Sequence, residues 1–218
     1  MAHTVLTLLC KEVWARDSST HYDISFKLDG TGELIAYCCD GGGPGVYISA
    51  EIEWEATNPS ILNKIVNITP GGRNAQVLVE FEIKMTLTKR RAGLFREPRS
   101  PQDYKLNQAY LLDDAFLPKK YKIRLEKGNF ISSKERKPDG TISPPWASAY
   151  TLRLVFDKSP YPPAQLWKDP DDWDHAMMGE EWKEFHSGKA DGWGMAENAM
   201  QVYYSIRAGF WGLVSRGD

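Results

Sequence analysis

Thirteen residues from Gln76 to Thr88 place Val77, Val79, Phe81, Ile83, Met85 and Leu87 at alternate positions, with polar or charged residues between most of them. Period-2 alternation is the signature of a strand with one buried face. At roughly 3.3 Å per residue such a strand spans about 43 Å. A strand that long does not stay flat: it coils around a barrel or bends between two sheets. This segment constrains the fold more than any other.

The same period recurs along the chain. From Tyr47 to Thr57, Ile48, Ala50, Ile52, Trp54 and Ala56 share a face, while Glu51, Glu53 and Glu55 take the other. Tyr22, Ile24, Phe26 and Leu28 alternate, as do Tyr121, Ile123 and Leu125, and then Tyr150, Leu152, Leu154 and Phe156. Asp29-Gly30-Thr31-Gly32 reads as a hairpin turn, because glycine reaches positive φ without steric cost. Val5 to Trp14 and Val202 to Val214 are predicted as strands near the two ends, whose pairing would close the sheet and remove its edges.

One helix is predicted. Asp169 suits its N-cap, Pro170 its first position, and Asp171 and Asp172 complement the positive end of its dipole. The pattern runs towards Phe185 and stops before Gly188, with Gly179 a point at which it can break. Loops are predicted at 40–45, 69–72, 92–108 and 134–146, where glycine and proline cluster. No internal repeat or linker divides the chain, so residues 1–218 read as a single barrel-like domain with 165–195 a helical excursion packed on it.

Composition excludes several classes. Apolar residues make up 42% and charged residues 26%, enough for a core within a solvated surface. No run approaches the roughly 20 apolar residues that span a bilayer. No signal-peptide pattern follows Met1, so the reading is a cytoplasmic protein without a membrane partner. Cys10, Cys38 and Cys39 form no disulfide framework and no zinc spacing.

Charge is uneven along the chain. Residues 1–83 carry 5 Lys/Arg against 11 Asp/Glu, and residues 84–137 carry 15 against 6. Basic strands beside acidic ones, paired across the sheet for a few tenths of a kcal/mol each, account for this most simply. Lys84, Lys122 and Arg124 are the expected partners of the strand glutamates. Lys89-Arg90-Arg91 and Lys119-Lys120 lie near aromatics, but net charge is −2 and no nucleic-acid motif accompanies them, so no nucleic-acid partner is expected.

Motifs that carry chemistry are equally sparse. The glycines at 41–45 feed a strand rather than a helix, which makes them a turn and not a phosphate loop. His175 and His186, if on one helix, stand about 16 Å apart and cannot share a metal ion. No GxSxG elbow or HExxH pair occurs, and no cofactor motif is present.

More suggestive are the large rings on apolar faces. Trp54, Tyr22, Tyr121 and Tyr150 fall in phase with core aliphatics, and each has a polar tip that needs a partner when buried. In a solid core, backbone carbonyls supply it; in a hollow barrel, a ligand does.

Long alternating strands, hairpin turns and a helix towards the C-terminus together make residues 1–165 resemble a lipocalin-type (calycin) barrel in architecture. The Gly-x-Trp signature of those barrels is missing, since Glu12-Val13 precede Trp14. A two-sheet β-sandwich is the alternative fold.

Such a barrel implies a carrier or sensor that holds a small hydrophobic or aromatic molecule against Trp54, Phe81, Tyr121 and Tyr150. A cofactor-independent cyclase or isomerase acting in the same cavity is the second expectation. The third is a protein-interaction module using the Trp-rich end, with Trp167, Trp173, Trp182, Trp193 and Trp211.

Overall fold

The computed structural model of the protein describes residues 2–18, 22–37, 46–69, 75–92, 106–137, 139–142 and 147–189. In chain order these form β1 (Ala2–Thr4), α1 (Val5–Lys11), β2 (Trp14–Ala15), β3 (Tyr22–Phe26), β4 (Thr31–Tyr37), β5 (Val46–Ala56), β6 (Ile65–Asn67) and β7 (Gln76–Arg91), followed by β8 (Lys119–Phe130), β9 (Tyr150–Phe156), α2 (Pro170–Met177) and β10 (Glu184–Lys189). Eight strands close into an antiparallel barrel in the order β10-β2-β3-β4-β5-β7-β8-β9, and β1 pairs with β6 in a separate two-stranded sheet. Closure decides for the barrel and against the open sandwich. The barrel falls within residues 1–188, one compact unit. The glycine cluster, Cys38, Cys39 and the segment Val202 to Val214 lie outside the described residues.

The alternation in the sequence fixes which side chains fill this barrel. Ile24, Leu34, Ile52, Ile83, Leu125 and Leu154 are fully buried, each one in phase with the apolar positions of its strand. The strand from Gln76 runs to Arg91, sixteen residues, and serves two neighbours. Ile83 to Arg91 pair with β5, and Gln76 to Met85 pair with β8. Register shifts between Ala50 and Ile52 and between Val77 and Val79 add the local twist that lets the sheet curl round. A run of rings continues the core from Tyr121 to Phe156 (5.9 Å), Phe185 (5.7 Å), Tyr161 (6.2 Å) and Tyr22 (6.3 Å).

Of the expected cross-strand partners Lys84, Lys122 and Arg124, Lys84 forms such a pair, and the glutamates of β5 and β7 also draw on Lys120 and Arg90. Lys84 meets Glu55 at 3.2 Å, Lys120 meets Glu82 at 3.4 Å, and Arg90 reaches both Glu51 and Glu53. Arg124 pairs with Glu126, on its own strand, at 2.6 Å.

Two elements differ from expectation. Val5 to Lys11 is a helix, not a strand. Val5, Leu8 and Leu9, spaced i, i+3, i+4, are buried together, and the Thr4 side chain caps the N-terminus by accepting from Thr7 N–H at 3.1 Å. Only Trp14 and Ala15 remain as strand, and the Trp14 indole ties them to the helix by donating to Leu9 O at 3.0 Å.

The second helix starts where expected, with Asp169 accepting from Asp171 N–H at 3.0 Å, but it ends at Met177. Met178 and Gly179 both take the left-handed conformation (φ 54° and 66°), which stops the helix. The chain then returns as β10. His175 and His186 therefore sit on different elements.

Closure falls to β2 and β10. Among the described residues they share one register pair, His186 opposite Ala15. Glu12, just ahead of β2, reinforces it by accepting from Ser187 Oγ at 2.8 Å and from Gly188 N–H at 3.0 Å. Among the described residues no helix is long and apolar enough to cross a membrane.

Candidate functional site

The fold sends the four expected ligand-binding residues to different surroundings. Trp54 is buried on β5, edge-on to Phe26 at 5.2 Å, with its indole N–H donating to Thr31 O at 2.9 Å. Phe81 is half-buried opposite Ile123, and Tyr121 lies opposite Ile83. Burial pushes the Tyr121 hydroxyl pKa well up, with the Asp157 charge adding to it. A recess between Met85, Leu87, Leu117, Lys119, Tyr121 and Pro162 holds about 10 Å³, space for about one water. Tyr150 pairs with Phe130 at the other end of β9, six residues and about 20 Å along the strand from Phe156, on which Tyr121 packs. The register therefore sets Tyr150 apart from the others.

Around Tyr150 the packing changes character. On β10, the His186 ring lies against the Tyr150 ring at 5.3 Å and 32°, with Phe130 at 6.3 Å. His186 Nδ1 is 3.1 Å from Arg16 O, a carbonyl that can only accept, so Nδ1 carries the proton. Burial lowers the His186 pKa and favours the neutral ring, against a smaller opposing effect of that hydrogen bond.

Arg16, just past β2, has its guanidinium 4.3 Å from the centre of the Tyr22 ring and 4.2 Å from that of Trp182. Its Nε donates to Asp17 Oδ2 at 2.5 Å, forming a buried ion pair. Tyr22 donates its hydroxyl to Ala176 O at 2.7 Å, which docks the end of α2 beside this cluster.

The segment following β8 supplies the fourth side. Ser133–Glu135 form a 3-10 turn capped by Ser132, which accepts from Lys134 N–H at 3.3 Å. This turn carries Glu135 to Ser18, where Oε1 accepts from the Ser18 N–H at 2.9 Å and from its hydroxyl. Lys134 lies over the Trp182 ring at 4.7 Å and pairs with Glu180. Residues 131–137 thus form a strap that joins β8 to the seam between β2 and β10.

Four side-chain atoms under this strap are buried without a hydrogen-bond partner among the described residues: Arg16 Nη1, Glu135 Oε2, Tyr150 Oη and Trp182 Nε1. Their residues are 8%, 4%, 2% and 5% exposed. Ser148 approaches the Tyr150 hydroxyl closely enough to affect its pKa without reaching bonding geometry. Leaving a buried donor or acceptor unmet costs about 1–3 kcal/mol, so a native fold tolerates few and each needs a reason. Here three donors and one carboxylate oxygen fall in one connected set of contacts. Burial raises the Tyr150 pKa well above its usual value, and the charges of Glu135 and Asp17 raise it further. Both carboxylates are therefore within electrostatic reach of that hydroxyl.

Of the residues gathered here, the sequence reading named Tyr150 and noted Trp182 among the tryptophans, but singled out none of Arg16, Asp17 and Glu135 and gave His186 no part. Each is a charged or polar residue on a loop or short strand, where the sequence reads as solvated surface. The remaining tryptophans divide. Trp167 is buried, donates to Pro162 O at 2.9 Å and packs near Tyr47 and Tyr110, while Trp193 and Trp211 lie outside the described residues. Burial pushes the Cys10 thiol up to about 11, which makes it a poor nucleophile. Among the described residues no cluster of His, Cys, Asp or Glu is placed to hold a metal ion. Comparison with protein-family models, with curated proteins and with solved structures finds no match.

Proposed function

We propose that this barrel binds a small, flat, partly aromatic molecule, and that the binding site is the seam beneath the 131–137 strap. The observation that carries the reading is the group of four unmatched polar atoms on Arg16, Glu135, Tyr150 and Trp182. A ligand with an acceptor beside a donor, such as a lactam or aromatic amide edge, complements three donors and one carboxylate oxygen. The rings of Tyr150, His186, Phe130 and Trp182 supply apolar walls, the usual composition of a small-molecule site. Entry requires the strap to lift. Its ties include the polar contacts of Glu135 with Ser18 and of Lys134 with Glu180, which water can replace.

Native mass spectrometry of the gently purified chain, followed by denaturing extraction, tests this. The expected result is a bound small molecule carrying a lactam or aromatic amide, lost from a Tyr150→Phe/Trp182→Phe double variant that keeps the wild-type circular dichroism. An adduct equally abundant in that variant contradicts the assignment. So does a bare wild-type mass together with no rise in melting temperature from 2-pyridone, uracil or benzamide.

A further inference from the structure

The same four atoms are of the chemical kinds that proton transfer next to a carbonyl needs. A base must be oriented, shielded from water and left with a free lone pair; hydrogen-bond donors must be ready for the oxygen on which charge develops. Glu135 meets the first demand. Two donors from Ser18 fix its Oε1, and Oε2 is buried and without a hydrogen-bond partner among the described residues. Tyr150 Oη and Trp182 Nε1 meet the second, each a buried donor without an acceptor among the described residues. Arg16 Nη1 adds a third donor, on a guanidinium held by Asp17 and two rings.

We infer that the seam catalyses the isomerisation of a small unsaturated ketone, with Glu135 moving the proton and Tyr150 bonding the enolate oxygen, an inference that rests on the binding reading above. Glu135 Oε2 takes a proton from the carbon between the carbonyl and the double bond. The C–H electron pair becomes the new C=C bond, and the carbonyl π pair moves to oxygen, where the Tyr150 hydroxyl and its neighbouring donors bond it. Collapse of the enolate returns the proton from Glu135 to the γ carbon, giving the conjugated isomer. Atoms and charge balance, nothing is oxidised or reduced, and no co-reactant is consumed.

The test uses 3-cyclohexen-1-one and follows the ultraviolet absorbance of the conjugated product, with the Trp182 indole N–H resonance as a separate measure of binding. The wild-type chain is expected to accelerate isomerisation over buffer. Glu135→Gln is expected to lose that acceleration by 100-fold or more, within the range typical of a positioned acid–base group, while still binding the product.

Tyr150→Phe provides a second variant should Glu135→Gln fail to fold; it is expected to lose about 10²-fold in rate with little change in affinity, as for loss of one oxyanion donor. Binding seen at Trp182 without acceleration by the wild type overturns the catalytic inference and leaves the binding reading standing. Acceleration that survives in both variants overturns the roles of Glu135 and Tyr150. No binding of this ketone and no acceleration overturn the catalytic inference, while the binding reading stands or falls on 2-pyridone, uracil and benzamide.

Discussion

Asp23 lies on β3 opposite Ala15 on one side and Ile35 on the other, and is 9% exposed. Burial pushes its pKa up to about 7, and the Glu33 charge adds to the shift. The folded chain thus holds a proton that the unfolded chain, with a carboxyl near 4, releases. The stabilisation is complete below about pH 4 and is lost as pH rises to about 7, amounting to a few kcal/mol across that window. Urea unfolding at pH 5 and pH 8 is expected to show the wild type weaker at pH 8, with most of the difference removed in Asp23→Asn. An equal pH dependence in that variant contradicts the assignment. Other residues were partly legible in advance. The rings of Tyr22 and Trp54 were expected to need partners, and backbone carbonyls of Ala176 and Thr31 supply them. That Tyr150 lacks one among the described residues was not legible, because tertiary packing brings Glu135, Asp17 and His186 around it from separate segments of the chain.

At the level of elements, legibility followed length. The strands that became β5, β7, β8 and β9 carry enough alternation to be read from sequence, and Tyr150–Phe156 matches the predicted run. The closing elements do not. β2 has two residues, and β10 has one large apolar residue, Phe185, in Glu184–Lys189. These short segments become strands because closure pairs their backbone groups, not because of their own pattern. The short pairing makes Glu12 important. Glu12→Ala is expected to destabilise the fold by about 1.5–3 kcal/mol through loss of its bonds to Ser187 and Gly188, measured by urea unfolding. The β3–β4 hairpin depends on a glycine instead. A Cβ on Gly32 would stand 2.1 Å from the Ser25 carbonyl oxygen and 3.0 Å from Ile52 Cγ1. Gly32→Ala is therefore expected to cost about 1–3 kcal/mol or more, because backbone must shift to make room. A loss under about 0.5 kcal/mol in either variant contradicts its assigned role.

For the whole molecule, the barrel was legible as an architecture and the location of its unusual chemistry was not. The interior positions are filled by side chains from all around the wall, and of the four unmet polar atoms Tyr150 Oη belongs to that alternation while those of Arg16, Glu135 and Trp182 lie outside it, where strap, helix end and closing strands meet. Four tryptophans report on this directly. The indole N–H groups of Trp14, Trp54 and Trp167 donate to Leu9, Thr31 and Pro162 carbonyls at 3.0, 2.9 and 2.9 Å, whereas that of Trp182 has no acceptor among the described residues. The decisive measurement is a ¹H–¹⁵N titration of the full chain with 2-pyridone, with indole resonances assigned by single Trp→Phe variants. The Trp182 indole N–H is expected to shift and saturate while that of Trp54 stays in place. Saturable movement at Trp54 with Trp182 unchanged would put the ligand among the barrel strands instead, and contradict the seam as the binding site.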